Sequence, residues 1–243
     1  SRTIQCSSTN MNDIVMINLG FNSTEDAGRY NIGSRYDWEN QPVTAVSGLQ
    51  SVPNLVRFCA SHAPITGGID FSGLSDLEYI ECYLSNIRSV DLTGCTSLIR
   101  LCLESTMVSN LDLNPVRNSL YDLRAANQRV SALHFETLAG PMNNLYHYCV
   151  RDQVVTNSIP FSQLPVIEEM WNWNTHQSYA DTPISPVARS MAMQDNSFDQ
   201  SSVDRILDGL VNNSNEGAYS GLYLLGSSAP SAAGIENARI LRN

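Results

Sequence analysis

Apolar residues recur along this chain with a period near 21 residues. The stretch LEYIEC at 77–82 is followed 21 residues later by LIRLCL at 98–103, and both have apolar or small residues at their first, fourth and sixth positions. Six such units begin at Leu55, Leu77, Leu98, Leu120, Leu145 and Ile167. Asn172 breaks the pattern at the sixth position of the last of these units. A fixed period of this length predicts stacked repeats, because each unit buries its apolar face against its neighbours.

Each unit predicts one main strand. Its fourth and sixth positions are two residues apart, as residues on one buried face of a strand must be. A shorter apolar pair precedes each unit from Leu77 onward and predicts a second extended segment in every coil. These pairs are Ile69/Phe71, Val90/Leu92, Leu111/Leu113, Leu133/Phe135 and Ile159/Phe161. Turn residues follow the first three pairs at 72–73, 93–94 and 114–115, where the chain must bend sharply.

The pattern changes at both ends of the chain. Residues 1–45 are irregular, apart from a short buried strand predicted at 14–17, and we expect them to cap the first coil. After a polar loop at 173–186, a seventh unit begins at Ala188 and an eighth at Tyr219. Helical spacing between these two units predicts an amphipathic helix from the apolar residues Val203, Ile206, Leu207, Leu210 and Val211. Ser231 is the expected N-cap of a last helix at 232–241.

These elements predict a repeat solenoid of about eight coils. The main strands form one parallel sheet on one face, and short extended or irregular segments form the other. Helices lie towards the C-terminus. The predicted division is an N-terminal cap at 1–45 and a solenoid with a C-terminal capping repeat at 46–243.

The repeat at 77–98, LEYIECYLSNIRSVDLTGCTSL, resembles a leucine-rich repeat of the bacterial type with an IDLSG-like second segment. The strand positions match this family over 55–172. The position at which many such families carry an asparagine ladder varies here, with Ser85, Thr106 and Asn127. The pattern at 203–241 is similar to a C-terminal repeat of leucine-rich proteins from bacteria and their phages, including tail-associated ones.

This resemblance implies a leucine-rich repeat protein that recognises a ligand rather than catalysing a reaction. It implies a phage tail, receptor-binding or adhesin-like protein, on a virion or secreted to a cell surface. The alternative is a secreted or surface bacterial protein with a structural or host-interaction role.

Charge narrows the choice of partners. The net charge is −10 at pH 7, and all 14 basic residues are arginines. Nucleic acids and anionic membranes attract basic patches, so we expect neither as a partner. No run of about 18 apolar residues is present, and we therefore expect no membrane span. A protein or a cell-surface glycan remains as the expected ligand.

The third, fifth and seventh positions of each unit point away from the core and predict a ligand-binding face. Aromatic residues and arginines are frequent there, and these types dominate binding hot spots. The candidate ligand-binding residues are Tyr79, Glu81, Tyr83, Arg100, Glu104, Asp122, Arg124, His147, Arg151, Glu169, Trp171 and Trp173, with Tyr223 on the eighth strand.

Two alternatives compete with that interpretation. The loop at 173–186 could fold back and cover Trp171 and Trp173, which would make both rings structural. Tyr79 and Tyr83 could be ordinary residues of an exposed strand, where tyrosine is favoured without any ligand.

The cysteines predict free thiols. Cys59, Cys102 and Cys149 lie on the same face in alternate units, so about 10 Å separates successive thiols. A disulfide needs Cα atoms within about 7 Å. Cys82 points into the core, where cysteine behaves as a small apolar side chain. The same distances argue against a metal site.

No motif for catalysis is present. The four histidines form no HExxH pair, and no nucleophile elbow, P-loop or dinucleotide-binding glycine pattern occurs. An enzyme built on a solenoid would need carboxylates clustered on adjacent coils, for which Glu81 and Glu104 are the nearest candidates. We therefore expect no enzyme activity, no metal and no cofactor.

Overall fold

The computed structural model describes residues 2–5, 14–19, 43–127, 132–133, 138–155, 161–212 and 221–242. In chain order these residues form β1 (Arg2–Gln5), β2 (Met16–Asn18), β3 (Val43–Ser47), β4 (Arg57–Cys59), β5 (Thr66–Asp70), β6 (Tyr79–Glu81), β7 (Asn86–Asp91), β8 (Arg100–Cys102), β9 (Asp122–Arg124), β10 (Ala132–Leu133), β11 (His147–Cys149), β12 (Val154–Val155), β13 (Glu169–Trp171), β14 (Ser190–Ala192), α1 (Gln200–Val211), β15 (Gly221–Tyr223) and α2 (Ala232–Arg242).

The main sheet takes one short strand from each successive coil. Its order is β2, β4, β6, β8, β9, β11, β13, β14 and β15, and every neighbouring pair is parallel. Equivalent positions of neighbouring units pair directly, so that Phe58 lies opposite Ile80 and Ile80 opposite Leu101. This arrangement confirms the predicted repeat solenoid with a parallel sheet on one face.

A short strand is present near the segment predicted at 14–17, and this strand, β2 (Met16–Asn18), is the first of the main sheet. It is half-buried instead of buried, and Val15 before it is exposed. β2 pairs with β4 through Met16 and Arg57. Part of the segment 1–45 therefore continues the solenoid. Residues 6–13 and 20–42 lie outside the described residues, so the boundary of the cap stays a prediction.

The opposite side of the coils is less regular. β1 pairs with β3, β5 with β7, and β10 with β12, all in parallel. Short 3-10 turns at Leu49–Ser51, Asn114–Val116 and Phe161–Gln163 complete other coils. Most of the predicted second apolar pairs are buried there, including Ile69, Phe71 and Leu92. The side chains of Leu133, Phe135 and Ile159 lie outside the described residues.

The core is a continuous stack between the two sides. The fourth position of each unit carries a buried side chain, and these are Phe58, Ile80, Leu101, Leu123, Tyr148, Met170 and Met191. Burying an aliphatic or aromatic side chain of this size contributes about 1.5–3 kcal/mol relative to leaving it exposed. A single coil leaves apolar side chains exposed on the two sides that face its neighbours. The contribution from burial is therefore obtained only when the coils stack.

A left-handed residue lies in the turn three residues after each main strand in the described units. The residues at the eighth position, with positive φ, are His62, Leu84, Ser105, Asn127, Asp152, Asn174, Asp195 and Gly226. The Leu84 N–H, for example, donates to the Glu104 carbonyl of the next coil at 2.9 Å. A left-handed conformation costs a non-glycine residue roughly 1–2 kcal/mol. These hydrogen bonds between coils offset that cost.

Two central coils carry hydroxyl side chains, Ser85 and Thr106, at the position that the sequence comparison equated with an asparagine ladder. Ser85 Oγ donates to the Cys82 carbonyl at 2.7 Å, and Thr106 Oγ1 donates to the Leu103 carbonyl at 2.8 Å. Asn127 is not equivalent to them, because it lies one position earlier, in the left-handed turn. Each hydroxyl satisfies a buried carbonyl at the turn.

Both predicted helices at the C-terminal end are present. Asp199 accepts a hydrogen bond from the Ser202 N–H at 2.7 Å and begins α1. The predicted apolar stripe of α1 is buried at Val203, Ile206, Leu207 and Leu210. α2 packs against α1. No helix among the described residues has the length and apolar character needed to cross a membrane.

Candidate functional site

The outward side of the main sheet, which we call the strand face, aligns side chains in rows across the coils. The parallel register places the third position of each unit in one row and the fifth in another. The third-position row is Arg57, Tyr79, Arg100, Asp122, His147, Glu169, Ser190 and Gly221. The fifth-position row is Cys59, Glu81, Cys102, Arg124, Cys149, Trp171, Ala192 and Tyr223. Tyr83, Glu104, Arg151 and Trp173 follow two residues beyond their strands.

In the N-terminal half of the strand face, five charged residues form a chain of ion pairs that we call the charge ladder. Glu81 Oε2 lies 3.0 Å from Arg57 Nη2, and its Oε1 lies 3.7 Å from Arg100 Nη1. Asp122 Oδ2 lies 2.8 Å from Arg100 Nε, and its Oδ1 lies 3.1 Å from Arg124 Nε. Charges of opposite sign thus alternate across four neighbouring strands, from β4 to β9.

The charge ladder turns its carboxylates inward. Glu81 is 8% exposed and Asp122 is 7% exposed, while Arg57, at the start of the ladder, is buried as well. Although both carboxylates lie on the outward side of the sheet, as predicted, neighbouring side chains cover them, which argues against Glu81 and Asp122 as ligand contacts. Strands about 4.8 Å apart bring long side chains of opposite charge into contact, and each covers the next.

The tyrosines of this half are also engaged by the fold. The Arg57 guanidinium lies 5.4 Å from the centre of the Tyr79 ring. The Tyr83 ring meets His62 edge to face at a centroid distance of 5.1 Å. Both tyrosines are half-buried. Their contacts favour a structural role for both rings.

The C-terminal half of the strand face is more open. Trp171 is 40% exposed, which shows that the loop at 173–186 does not cover it. Trp173 is half-buried, with the Arg151 guanidinium 4.8 Å from its ring centre. The loop instead turns polar side chains inward, where Thr175 Oγ1 donates to Asn172 Oδ1 at 2.7 Å. Asn172, which breaks the apolar pattern, is thereby explained as the partner of this loop.

Polar groups are held beside Trp171. His147 Nδ1 lies 3.1 Å from Glu169 Oε2, on the neighbouring strand. Nearer the middle of the face, Cys149 Sγ lies 4.0 Å from Glu104 Oε1. Arg151 Nη1 pairs with Asp152 at 2.9 Å. Glu169 precedes Trp171 by two residues on the same face of β13, so the His147–Glu169 pair lies beside the exposed indole.

A shallow depression joins the two halves of the face. Its lining residues are Asp122, Arg124, His147, Tyr148, Cys149, Glu169 and Trp171, and its cavity volume is only about 20 Å³. Pockets that enclose a drug-sized molecule measure about 300–1,000 Å³. The depression therefore suits a ligand that lies on the surface, with only part of it entering.

The described cysteines are all free thiols, as the spacing predicted. Burial raises the pKa of Cys102 to about 12 and that of Cys95 and Cys149 to about 11. Burial also raises the pKa of Cys59 and Cys82. Thiols in such environments are poor nucleophiles at neutral pH, because the thiolate is the reactive form. Cys6 lies outside the described residues.

The repeat pattern does not identify several residues that line this part of the strand face. Tyr121 is partly exposed, stacks on Tyr146 at 4.9 Å and lies 5.1 Å from the His147 ring. It occupies the second position of its unit, which was not assigned to the binding face. Ser190, Ala192 and Gly221 were not among the candidate ligand-binding residues either. Small side chains at outward positions of neighbouring units are visible in the sequence and could have indicated a depression there.

No protein-family model, curated protein or solved structure matches this chain. The geometry of the strand face therefore carries the functional argument.

Proposed function

We propose that this protein is a non-enzymatic recognition module that binds a protein or a glycan through the C-terminal half of its strand face. The observation that carries the proposal is the exposed indole of Trp171, which stands beside the His147–Glu169 pair. Exposed tryptophan with polar groups at its edge is typical of binding hot spots, because it combines a large apolar area with fixed hydrogen-bonding partners.

The contrast between the two halves of the face supports this location. In the N-terminal half, Glu81 and Asp122 already contact two arginines each, so little hydrogen-bonding capacity is left for a ligand. In the C-terminal half, Trp171 and Tyr223 are 40% and 57% exposed. The charge ladder is then a structural support, and the candidate contact residues are reduced to those around Trp171.

The sheet supplies a rigid platform for such a site. Each strand of the main sheet from β4 to β14 has a hydrogen-bonded neighbour on both sides. Side chains on such strands are held in place before the ligand arrives, which lowers the entropy cost of binding. A recognition surface of this kind requires side chains that are held in fixed positions, which the sheet provides.

The buried carboxylate at the edge of the depression favours binding over catalysis. Asp122 is held between Arg100 and Arg124, which are both permanently charged. A carboxylate that is engaged by a cation is poorly placed to act as a general acid, which must hold a proton. This supports a module without enzyme activity.

The setting that we propose rests on the resemblance of the repeats to leucine-rich repeats of bacteria and phages. In that setting the protein is a phage tail, receptor-binding or adhesin-like component on a virion or cell surface. The net charge of −10 favours a partner other than nucleic acid or an anionic membrane.

Binding to arrays of immobilised glycans and of surface proteins tests the proposal. The wild-type protein is compared with Trp171→Ala and with Tyr179→Ala. Tyr179 is a matched control, because its ring is also exposed but lies beside Arg205 of helix α1 instead of in the main sheet. We expect at least one ligand that the wild type and Tyr179→Ala bind and that Trp171→Ala binds at least tenfold more weakly. Ligands that are indifferent to Trp171→Ala, or the lack of any ligand on both arrays, would contradict the proposal.

A further inference from the structure

A groove one strand wide crosses the C-terminal half of the strand face. The register places Ala192 of β14 between Trp171 of β13 and Tyr223 of β15. Ser190 occupies the third position of the same strand, between Glu169 and Gly221. Two large exposed rings therefore flank a strand whose outward side chains are both small.

The Tyr223 wall is shaped by the glycine beside it. A Cβ atom placed on Gly221 would lie 3.1 Å from Tyr223 Cε2 and 3.7 Å from its hydroxyl oxygen. The Tyr223 ring thus leans along its own strand over Gly221, and it occupies space that any larger residue would need. The ring keeps its other face exposed, consistent with its 57% exposure.

The width of the groove suits one flat ring. β13 and β15 are two strand steps apart, which is about 10 Å. A ring that contacts an aromatic side chain on each side needs two contact distances of about 3.5–4.0 Å each. A single pyranose ring fits between these walls, and a linear chain of such rings can run along the strand direction.

The polar groups of the groove suit a neutral polyol. Glu169 Oε2 contacts His147, while its carboxylate can still accept through Oε1. Ser190 offers a hydroxyl that both donates and accepts. The arginines on this part of the face contact carboxylates, since Arg189 Nε lies 2.7 Å from Glu168, Arg151 Nη1 lies 2.9 Å from Asp152, and Arg124 Nε lies 3.1 Å from Asp122. A carboxylate acceptor beside engaged cations favours hydroxyl donors over an anionic ligand.

We infer that this groove binds a neutral glycan. One sugar ring stacks its C–H face on Trp171 and Tyr223, and its hydroxyls contact Glu169 and Ser190. The inference rests on the proposed function and names the ligand class for that site. An extended peptide fits less well on the floor of the groove, because β14 already pairs with β13 and β15 and cannot accept an added strand there. A protein partner would also need roughly 800 Å² of contact surface, whereas the groove is one strand wide.

Titration calorimetry with neutral hexasaccharides of glucose, mannose, galactose, xylose and N-acetylglucosamine tests this inference, with an oligogalacturonate as the charged comparison. The informative variant is Ala192→Phe, which fills the groove with a residue that strands favour. Gly221→Ala displaces the Tyr223 ring and leaves its chemistry intact. Tyr79→Ala, on the N-terminal half of the face, is the control. Circular dichroism and the Tm of each variant establish that the fold is retained.

We expect at least one neutral hexasaccharide to bind, and Ala192→Phe to weaken it at least tenfold. Trp171→Ala should also raise the Kd for this hexasaccharide at least tenfold, and Gly221→Ala should raise it a few-fold. Tyr79→Ala should change the Kd less than twofold. An unchanged affinity of Ala192→Phe for the glycan would show that the groove is not the binding site. That result would overturn this inference without contradicting the proposed recognition by the strand face. Binding of a protein ligand that depends on Trp171, without binding of any hexasaccharide, would overturn the ligand class alone. Absence of both kinds of ligand would overturn the inference and the proposed function together.

Discussion

At the scale of single residues, the side chains of the strand face differ in how much of their bonding capacity the fold already uses. Glu81 and Asp122 are buried among arginines, whereas Trp171 and Tyr223 meet solvent. Residues of the first kind hold neighbouring strands together. Residues of the second kind are available to a ligand.

This difference gives a prediction for stability. Glu81→Gln removes the charge that pairs with the buried Arg57, so the free energy of unfolding should fall by about 3 kcal/mol. The matched control is Glu236→Gln, because Glu236 pairs with Arg239 on the exposed surface of α2 and should contribute less than about 0.5 kcal/mol. Urea unfolding measures both changes. Equal effects of the two substitutions would contradict the structural role of the ladder.

Which residues point outward could be predicted from the sequence, but which of them are open could not. Alternation placed Trp171 and Glu81 on the same face, because side chains on a strand alternate strictly. Their exposure depends on neighbours that are 20 or more residues away in sequence, such as Arg57 for Glu81. Arg57 and Glu81 belong to different rows, so only the lateral packing of strands brings them together.

At the scale of elements, the strands and helices follow local rules that the sequence displays. The apolar spacing of α1 was predicted because it depends on residues within a few turns of one helix. The left-handed residue in the turn after each main strand was not predicted, since Leu84 and Ser105 are unusual in that conformation. The hydrogen bond that each donates to the next coil accounts for them.

The cap of α1 gives a prediction with a defined pH dependence. Hydrogen bonds from Ser202 hold the pKa of Asp199 below its ordinary value. The cap therefore stabilises the protein above the unfolded-state pKa, and its contribution is lost as the pH falls through the lower folded-state pKa. Asp199→Ala should lower the free energy of unfolding by about 1 kcal/mol at pH 7.

Urea unfolding of wild type and Asp199→Ala at pH 7 and at pH 2.5 measures this effect. The difference between the two proteins should shrink at the acidic pH, where the carboxyl becomes protonated. A difference that is the same at both pH values would show that the charge of Asp199 contributes nothing to the cap.

At the scale of the whole molecule, coils stack in one direction and each pairs with its neighbours. The repeat period predicted this architecture, because the period is a property of the entire chain. The period does not predict that β2 is the first strand of the main sheet, because the coil of β2 lies outside the regular spacing. Pairing with β4 determines its place, and a single strand carries no periodic signal of its own.

The continuous core predicts how the thiols behave. Cys59, Cys82, Cys95, Cys102 and Cys149 are buried and free, so they should react slowly with an aromatic disulfide reagent at pH 8 in the native state. In denaturant without reductant, at least these five thiols should react rapidly. Fewer than five reactive thiols after unfolding would show that disulfides exist, and rapid reaction of all five in the native state would contradict the packed core.

The central claim is that recognition takes place on the C-terminal half of the strand face. The most direct measurement compares the Kd of one ligand for Trp171→Ala and for Tyr79→Ala, which each remove an aromatic ring from opposite halves of the same face. We predict at least a tenfold increase in Kd for Trp171→Ala and less than a twofold change for Tyr79→Ala. Equal losses, or a larger loss for Tyr79→Ala, would contradict the claim.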